Sequence, residues 1–413
     1  MDSFFSLLEE KDKAMGSISI FRNNEELYSN SIGYADIENK IKATNKTKYR
    51  IGSITKSFTA VVIMQLIEEG KLSLETPLSE FYAGFENSDK ITIEHLLRHR
   101  SGIYNVTNSE DYTEWMQEEK RRGELVEIMV EKGIVFPPGS KAEYSNSNYI
   151  LLSLIAETVE IDAFGAILEK RIIKPLNLEN TYYGGKINTS NNEAQSYAKL
   201  VTWTQSTETD MSIPLGAGSI VSNPYDLNVF YYNLFMGNLV SKETLQEMMR
   251  LEDNFGIGMF TSPFYERNGY GHTGGIDAFQ SSAVYFPSDG IFIAYTSNGS
   301  DMPMNDIMIG ALSILFNKDY DMPTFVEALP VDVEQLDEYV GTYASEEMPL
   351  EITIYRKENQ LFGQATGQSA FPLEAYEEHK FKFDPAKLKI DFMPEKKSLI
   401  LKQGGGNFTF VKK

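Results

Sequence analysis

The sequence predicts an α+β (α/β) domain, an antiparallel sheet flanked by helices, followed by a small all-β domain. Three observations point there. Strand-forming runs stand at both ends of a helix-rich stretch, as a hairpin pattern at Ser17–Ile37 and a second pair at Phe279–Gly299. Between them, apolar residues recur at helical spacing in several segments. After Asn317 the pattern changes to short alternating runs. The expected boundaries are residues 1–320 for the first domain, 321–335 for a linker and 336–413 for the β domain.

Taken in order, "MDSFFSLLEEKDKAMG" reads as an amphipathic helix and lacks the basic and apolar regions of a signal peptide. Asn23-Asn24 is a turn-prone pair inside the first hairpin. "SFTAVVIMQLIEEGKL" has helical spacing and a stop at Gly70. Helical patterns recur in "TIEHLLRH", "NYILLSLIAETVE" and "PYDLNVFYYNLFMG". "FQSSAVYFPSDGIFIAYTSNG" reads as two strands around a Pro-Ser-Asp-Gly turn, and "NDIMIGALSILFN" as the helix that closes the domain. "KDYDMPTFVEALPVD" carries the prolines and acids of a linker. The runs "LEITIYRKENQLFGQATG", "KFKFDPAKLKIDFMP" and "SLILKQGGGNFTFVKK" predict the closing antiparallel sheet or barrel.

Bulk properties narrow the function. The net charge of -21 repels phosphate backbones and argues against nucleic acid. No segment approaches the ~20 apolar residues of a membrane span. With no cysteine, disulfides, thiol catalysis and zinc–thiolate sites are excluded. His95 and His99 have a metal-ligand spacing, but position 96 is Leu, where the metalloprotease motif has Glu. They are expected to be satisfied core or helix-end histidines, and His379 to face solvent. "GQATGQ" lacks the Lys of a phosphate loop, and no Gly-x-Ser-x-Gly elbow surrounds a serine. No cofactor or metal is expected, and the partner is a small-molecule or peptide substrate.

Three short stretches carry chemistry. In "IGSITKSFTAVV", Ser53 and Lys56 are three residues apart and share a helix face. A serine needs a base, and a lysine desolvated by Ile51, Phe58, Val61, Val62 and Met64 can supply one. Gly52 allows close approach to the helix N-terminus, which favours developing negative charge. In "PPGSKAEYSNSNY", the Tyr144 hydroxyl can relay protons if a cation such as Lys56 or His272 lowers its pKa, and the Asn146 amide can hold a carbonyl. In "NGYGHTGGID", Gly274 and Gly275 leave room for a substrate backbone, while His272 and Thr273 suit a carboxylate.

The order Ser-x-x-Lys, Tyr-x-Asn, His-Thr-Gly resembles the serine penicillin-recognising enzymes: class C β-lactamases, DD-peptidases and related esterases. "RIGSITKSFTA", "LLRHRSGI", "KPLNLENTYYG", "GAGSIVSNPYDL" and "FGIGMF" extend the resemblance over roughly residues 10–316. It implies a β-lactamase/transpeptidase-like domain and an acyl-enzyme on Ser53. Lys56 and Tyr144 would share the acid–base work, and Asn146 would orient the substrate amide. The Ser53 and Gly275 N–H groups would form the oxyanion hole, and His272 and Thr273 would bind a carboxylate. The C-terminal part resembles the lipocalin-like β-domain appended to some relatives. His272 stands where lactamases commonly have Lys, which lowers the expectation of an efficient lactamase.

The expected activity is that of a DD-carboxypeptidase or D-amino-acid peptidase. An esterase, a weak class C-like lactamase and a non-catalytic penicillin-binding sensor are the alternatives, and β-lactam binding is an expected property. The expected location is extracytoplasmic, with a leader removed and Met1 supplied in its place; a cytoplasmic location is the alternative.

Overall fold

The computed structural model describes residues 1–199, 201–325, 333–368 and 370–413. By their contacts they form two units: Met1–Tyr197 with Gln205–Ser300, and Ala198–Thr204 with Asp301–Lys413. The helix at Met304–Leu315, expected to close the first domain, therefore groups with the second unit. Of the expected linker, residues 326–332 lie outside the described residues, and residues 333–335 begin a helix, Val333–Tyr339.

The first unit is built on a six-stranded sheet. Its strands are β1 (Ala14–Arg22), β2 (Glu25–Ile32), β3 (Phe260–Phe264), β4 (Arg267–Ile276), β5 (Phe279–Phe286) and β6 (Ile291–Ser300). They run in the order β3-β4-β5-β6-β1-β2, each antiparallel to its neighbour. The two strand-forming stretches of this unit thus meet inside the sheet, where Ile18 lies opposite Tyr295. Asn23 and Asn24 make the first turn, both at positive φ, as the residue types suggest.

Helices cover the sheet. α1 (Asp2–Glu10) buries Phe4, Phe5 and Leu8. α2 (Thr55–Glu68) is buried at every position from Thr55 to Met64, so it is enclosed all round rather than amphipathic. α3 (Asn146–Glu160) packs beside it. α4 (Pro224–Phe235) starts at a proline behind the Asn223 cap and lies on β1, β5 and β6. Phe58 of α2 and Phe230 of α4 stack with ring centroids 3.7 Å apart, joining the two helices in the core. A short three-stranded sheet of Tyr49–Arg50, Ile220–Ser222 and Tyr182–Tyr183 fixes the approach to Ser53.

The second unit contains a closed eight-stranded barrel. Its strands are β7 (Gly341–Ala344), β8 (Glu351–Lys357), β9 (Gln360–Ala365), β10 (Phe371–Glu377), β11 (Lys380–Phe383), β12 (Leu388–Met393), β13 (Ser398–Gln403) and β14 (Gly406–Lys412). They follow one another around the wall, and β7 pairs with β14 to close it. Ile352, Ile354, Leu361, Ile390, Leu399 and Phe410 belong to one buried cluster that fills the interior. His379 is half-buried, not simply solvent-facing: its Nδ1 lies 2.7 Å from the Tyr339 hydroxyl. Among the described residues, no helix is long and apolar enough to cross a membrane.

Candidate active site

The nucleophile candidate sits on a sharp turn. Gly52–Ile54 form a single 3-10 turn that leads into α2, which sets Lys56 one helical step beyond Ser53. Gly52 has φ +49, and a methyl group there would come within 2.8 Å of the Gly275 N and O atoms. A methyl at Gly274 would lie 2.0 Å from the Ile51 carbonyl oxygen and 3.0 Å from the Ser53 N. The edge of β4 therefore presses directly on the turn. The Ser281 hydroxyl, from β5, donates to the same Ile51 carbonyl at 2.8 Å.

This sharpens the reading of the two glycines. Gly274 has no side chain because the nucleophile turn occupies that space. Gly275 is exposed and has nothing nearer to its missing side chain than the Phe279 carbonyl oxygen at 3.9 Å. Only Gly275 leaves room for a substrate.

Lys56 is completely enclosed, and that burial pushes its pKa well below the usual lysine value. Its Nζ lies 2.9 Å from Ser53 Oγ, 2.8 Å from Asn146 Oδ1 and 2.8 Å from the Ala217 carbonyl oxygen. Two of these partners can only accept. A neutral amine has two N–H groups, which the amide and the carbonyl take, and one lone pair. Ser53 is the one partner that can donate, so once the amine is deprotonated its lone pair faces the Ser53 hydroxyl. The arrangement can take a proton from Ser53.

Asn146 begins α3, two residues before the helix expected from "NYILLSLIAETVE". Its backbone N–H donates to Asn105 Oδ1 at 3.0 Å and its Nδ2 to Thr107 Oγ1 at 2.9 Å, which leaves Oδ1 turned to Lys56. Tyr144 precedes the helix, with the Lys56 Nζ 4.9 Å from its ring centroid. Burial raises the Tyr144 pKa instead of lowering it. The expected lowering by a cation does not occur: desolvation of the enclosed phenol is the largest influence on it. Tyr144 is a proton donor here, not a phenolate.

His272 departs most from expectation. It is 3 % exposed, packed 4.1 Å from the Phe260 ring and 6.4 Å from the Tyr144 ring by centroids. Burial, reinforced by Lys56, depresses its pKa to about 3. It is neutral near pH 7 and cannot attract a carboxylate by charge. Its Nδ1 is within hydrogen-bond distance of the Thr273 carbonyl oxygen. Thr273 itself is exposed.

A cleft of about 350 Å³ opens over these groups. Ser53, Asn146 and Gly275 reach it, while Tyr112, Met116, Ile150 and Ile213 form an apolar side wall. The structure therefore brings Ser53, Lys56, Tyr144, Asn146 and Gly275 together, with His272 buried behind them. Asn105, Thr107 and the Ala217 carbonyl hold this set in place and carry no motif of their own. "GAGSI" marked the neighbourhood of Ala217 without showing which atom acts. His99 is a satisfied core histidine, as expected: its Nδ1 accepts from the Ser145 N–H at 3.2 Å, and its ring stacks 4.5 Å from that of Tyr144. His95 instead accepts from the Thr92 N–H at 3.3 Å, so the pair does not converge on one ligand.

A serine facing a buried lysine, on a helix entry pressed against a sheet edge, is an arrangement suited to a serine hydrolase. The chain belongs to the Beta-lactamase family, whose model matches residues 4–314. Among curated proteins it is 32% identical over 186 residues to Protein flp of Staphylococcus aureus (strain MRSA252), covering 44% of this chain and 37% of that protein. It is 26% identical over 259 residues to the teichoic acid D-alanine hydrolase of S. aureus (strain NCTC 8325 / PS 47), covering 61% of this chain and 64% of that protein. The chain thus spans less than two thirds of the length of these curated relatives. Among solved structures, a D-stereospecific amidohydrolase from Streptomyces sp. superposes with a TM-score of 0.63 and 26% identity, over 72% of this chain and 94% of that one. The octameric penicillin-binding protein homologue from Pyrococcus abyssi shares the fold across 100% of this chain and 99% of that one, with a TM-score of 0.68 and 24% identity.

Proposed function

We propose that the protein hydrolyses amides or esters of D-amino acids through an acyl-enzyme on Ser53. The observation that carries this reading is the enclosed Lys56 amine, 2.9 Å from the Ser53 hydroxyl and otherwise held by two groups that can only accept. Ser53 Oγ attacks the substrate carbonyl carbon while its proton passes to Lys56 Nζ. The N–H groups of Ser53 and Gly275 take the charge that develops on the carbonyl oxygen. The C–N or C–O bond then breaks, and the leaving amine or alcohol receives the proton through Lys56 and Tyr144. Water adds to the ester on Ser53, and the free acid departs with the serine restored. Asn146 holds both Lys56 and the substrate amide. The D-amino-acid preference is supported by the Streptomyces amidohydrolase and the teichoic acid D-alanine hydrolase.

The narrower reading is a D-alanyl-D-alanine carboxypeptidase, which must hold a terminal carboxylate. His272, neutral and buried behind the cleft, supplies no charge there. That favours substrates whose leaving side is uncharged. Steady-state kinetics on D-alanine p-nitroanilide, its L-enantiomer, p-nitrophenyl acetate, a D-Ala-D-Ala peptide and a chromogenic cephalosporin test the order. The D-anilide is expected to exceed the L-anilide and the free-carboxylate peptide in kcat/KM, with the ester and the cephalosporin reporting the esterase and lactamase alternatives. Ser53→Ala is expected to lose all turnover. Equal turnover by Ser53→Ala, or a peptide preferred over the D-anilide, would overturn the respective part.

A further inference from the structure

Arg50 and Asp277 are charged, enclosed and unused by the reaction above. Arg50 precedes Ser53 by three residues, and Asp277 follows Gly275 by two. Their side chains are 2% and 0% exposed and joined by Arg50 Nη1 to Asp277 Oδ2 at 3.0 Å. The same Nη1 donates to the Thr209 carbonyl at 2.8 Å, and Nη2 donates to the Gly185 carbonyl at 2.9 Å and Glu208 Oε1 at 2.7 Å. Asp277 Oδ1 accepts from the Thr209 N–H at 2.9 Å and from its hydroxyl at 2.7 Å. Asp277 also makes the turn after β4 at φ +54.

A buried ion pair is a poor source of net stability, since desolvation consumes most of the attraction. Its value lies in geometry. This pair ties the strand that leads into Ser53 to the end of the strand that carries Gly275. Thr209, which lines the cleft, is bonded to both members. The gap it spans has no slack, because even a methyl on Gly52 would touch Gly275 at 2.8 Å.

We propose that Arg50 and Asp277 are positioning residues, a brace that sets the separation between the Ser53 and Gly275 N–H groups and so the fit of the oxyanion hole. This rests on the Ser53 acyl-enzyme reading. Loss of the brace lets β4 slide against the turn, which misplaces one N–H donor without removing the nucleophile. Arg50 also offsets the Asp277 carboxylate, which without it would oppose the negative charge that forms nearby.

The test uses the full chain and two probes, p-nitrophenyl acetate and its thiono analogue with C=S in place of C=O. Sulfur gains little from the N–H donors, so the oxygen-to-sulfur rate ratio reads the oxyanion hole and not the amount of folded protein. Fluorophosphonate labelling to completion counts reactive Ser53. In Arg50→Lys and Asp277→Asn, kcat per labelled site for the oxygen ester is expected to fall on the order of 10²-fold at unchanged KM, with a smaller oxygen-to-sulfur ratio. Thr209→Val keeps both charges and removes one bond to Asp277. Should those two variants fail to fold, it is expected to shift the ratio the same way, with about a tenfold loss. Labelled variants that keep the wild-type ratio, losing only melting temperature or labelled fraction, would overturn the brace alone. Wild-type protein that does not label at Ser53 would overturn the acyl-enzyme reading and the brace with it.

Discussion

Burial governs the protonation of Lys56, and its pH behaviour follows. The amine accepts a proton only when uncharged, so kcat/KM is expected to fall towards acid as Lys56 becomes charged. The midpoint lies well below the lysine value of 10.5. Lys56→Arg, charged at every usable pH, is expected to be inactive throughout the profile. The same shift has a stability cost. Between the folded pKa and 10.5 the unfolded chain binds a proton that the folded chain does not, so this group's contribution rises with pH. Lys56→Met is therefore expected to melt higher than wild type at pH 7, by a margin that shrinks towards pH 10.5, in thermal scans across pH. His272 behaves in parallel at lower pH. Its folded pKa of about 3 lies below the ordinary 6.5, so its contribution to stability is full above 6.5 and is lost as pH falls towards 3. No activity inflection near pH 6.5 is expected to belong to it. An inflection there that vanishes in His272→Gln would show a charged histidine instead.

Elements meet at the site through backbone rather than side chains. Gly274→Ala is expected to be severe, because its methyl would collide with a backbone oxygen at 2.0 Å and push β4 off the nucleophile turn. Gly275→Ala meets nothing closer than 3.9 Å and is expected to fold normally while narrowing the cleft. Melting temperature and esterase rate, measured together, separate the two: Gly274→Ala loses both, Gly275→Ala mainly the second. At its far end, α3 stops on Ile161, a β-branched residue in the left-handed region (φ 53, ψ 43) and 91% exposed. Ile161→Gly removes that strain and is expected to stabilise the protein by about 1 kcal/mol in denaturant titration, with activity unchanged.

At the scale of the whole molecule, the two units have separate hydrophobic clusters. Unfolding is therefore expected to depart from a single two-state transition in calorimetry. Phe410 is fully buried in the barrel, and Phe410→Ala is expected to lower only the barrel transition, by about 3–5 kcal/mol. A uniform shift of the whole trace would show one cooperative unit. The filled interior also sets this barrel apart from the ligand-holding lipocalins that its strand pattern resembles.

Local pattern was enough for much of this. The Ser53–Lys56 pairing was legible because i,i+3 on a helix is set by helical geometry alone, and the strand periodicities announced the sheet and the barrel for the same reason. The order of the three motifs was enough to recognise the family. Protonation was not legible. Whether Lys56 and His272 carry charge depends on how completely Tyr144, Phe260 and other residues far along the chain exclude water from them. The supporting bonds were equally hidden, since a backbone carbonyl such as that of Ala217 has no signature in a sequence. Gly274 and Gly275 are identical letters, and only the approach of the Ile51 carbonyl gives them opposite purposes. Sequence sets which groups are present and how near neighbours are spaced; the packing of distant segments sets the desolvation and the contacts that make those groups reactive.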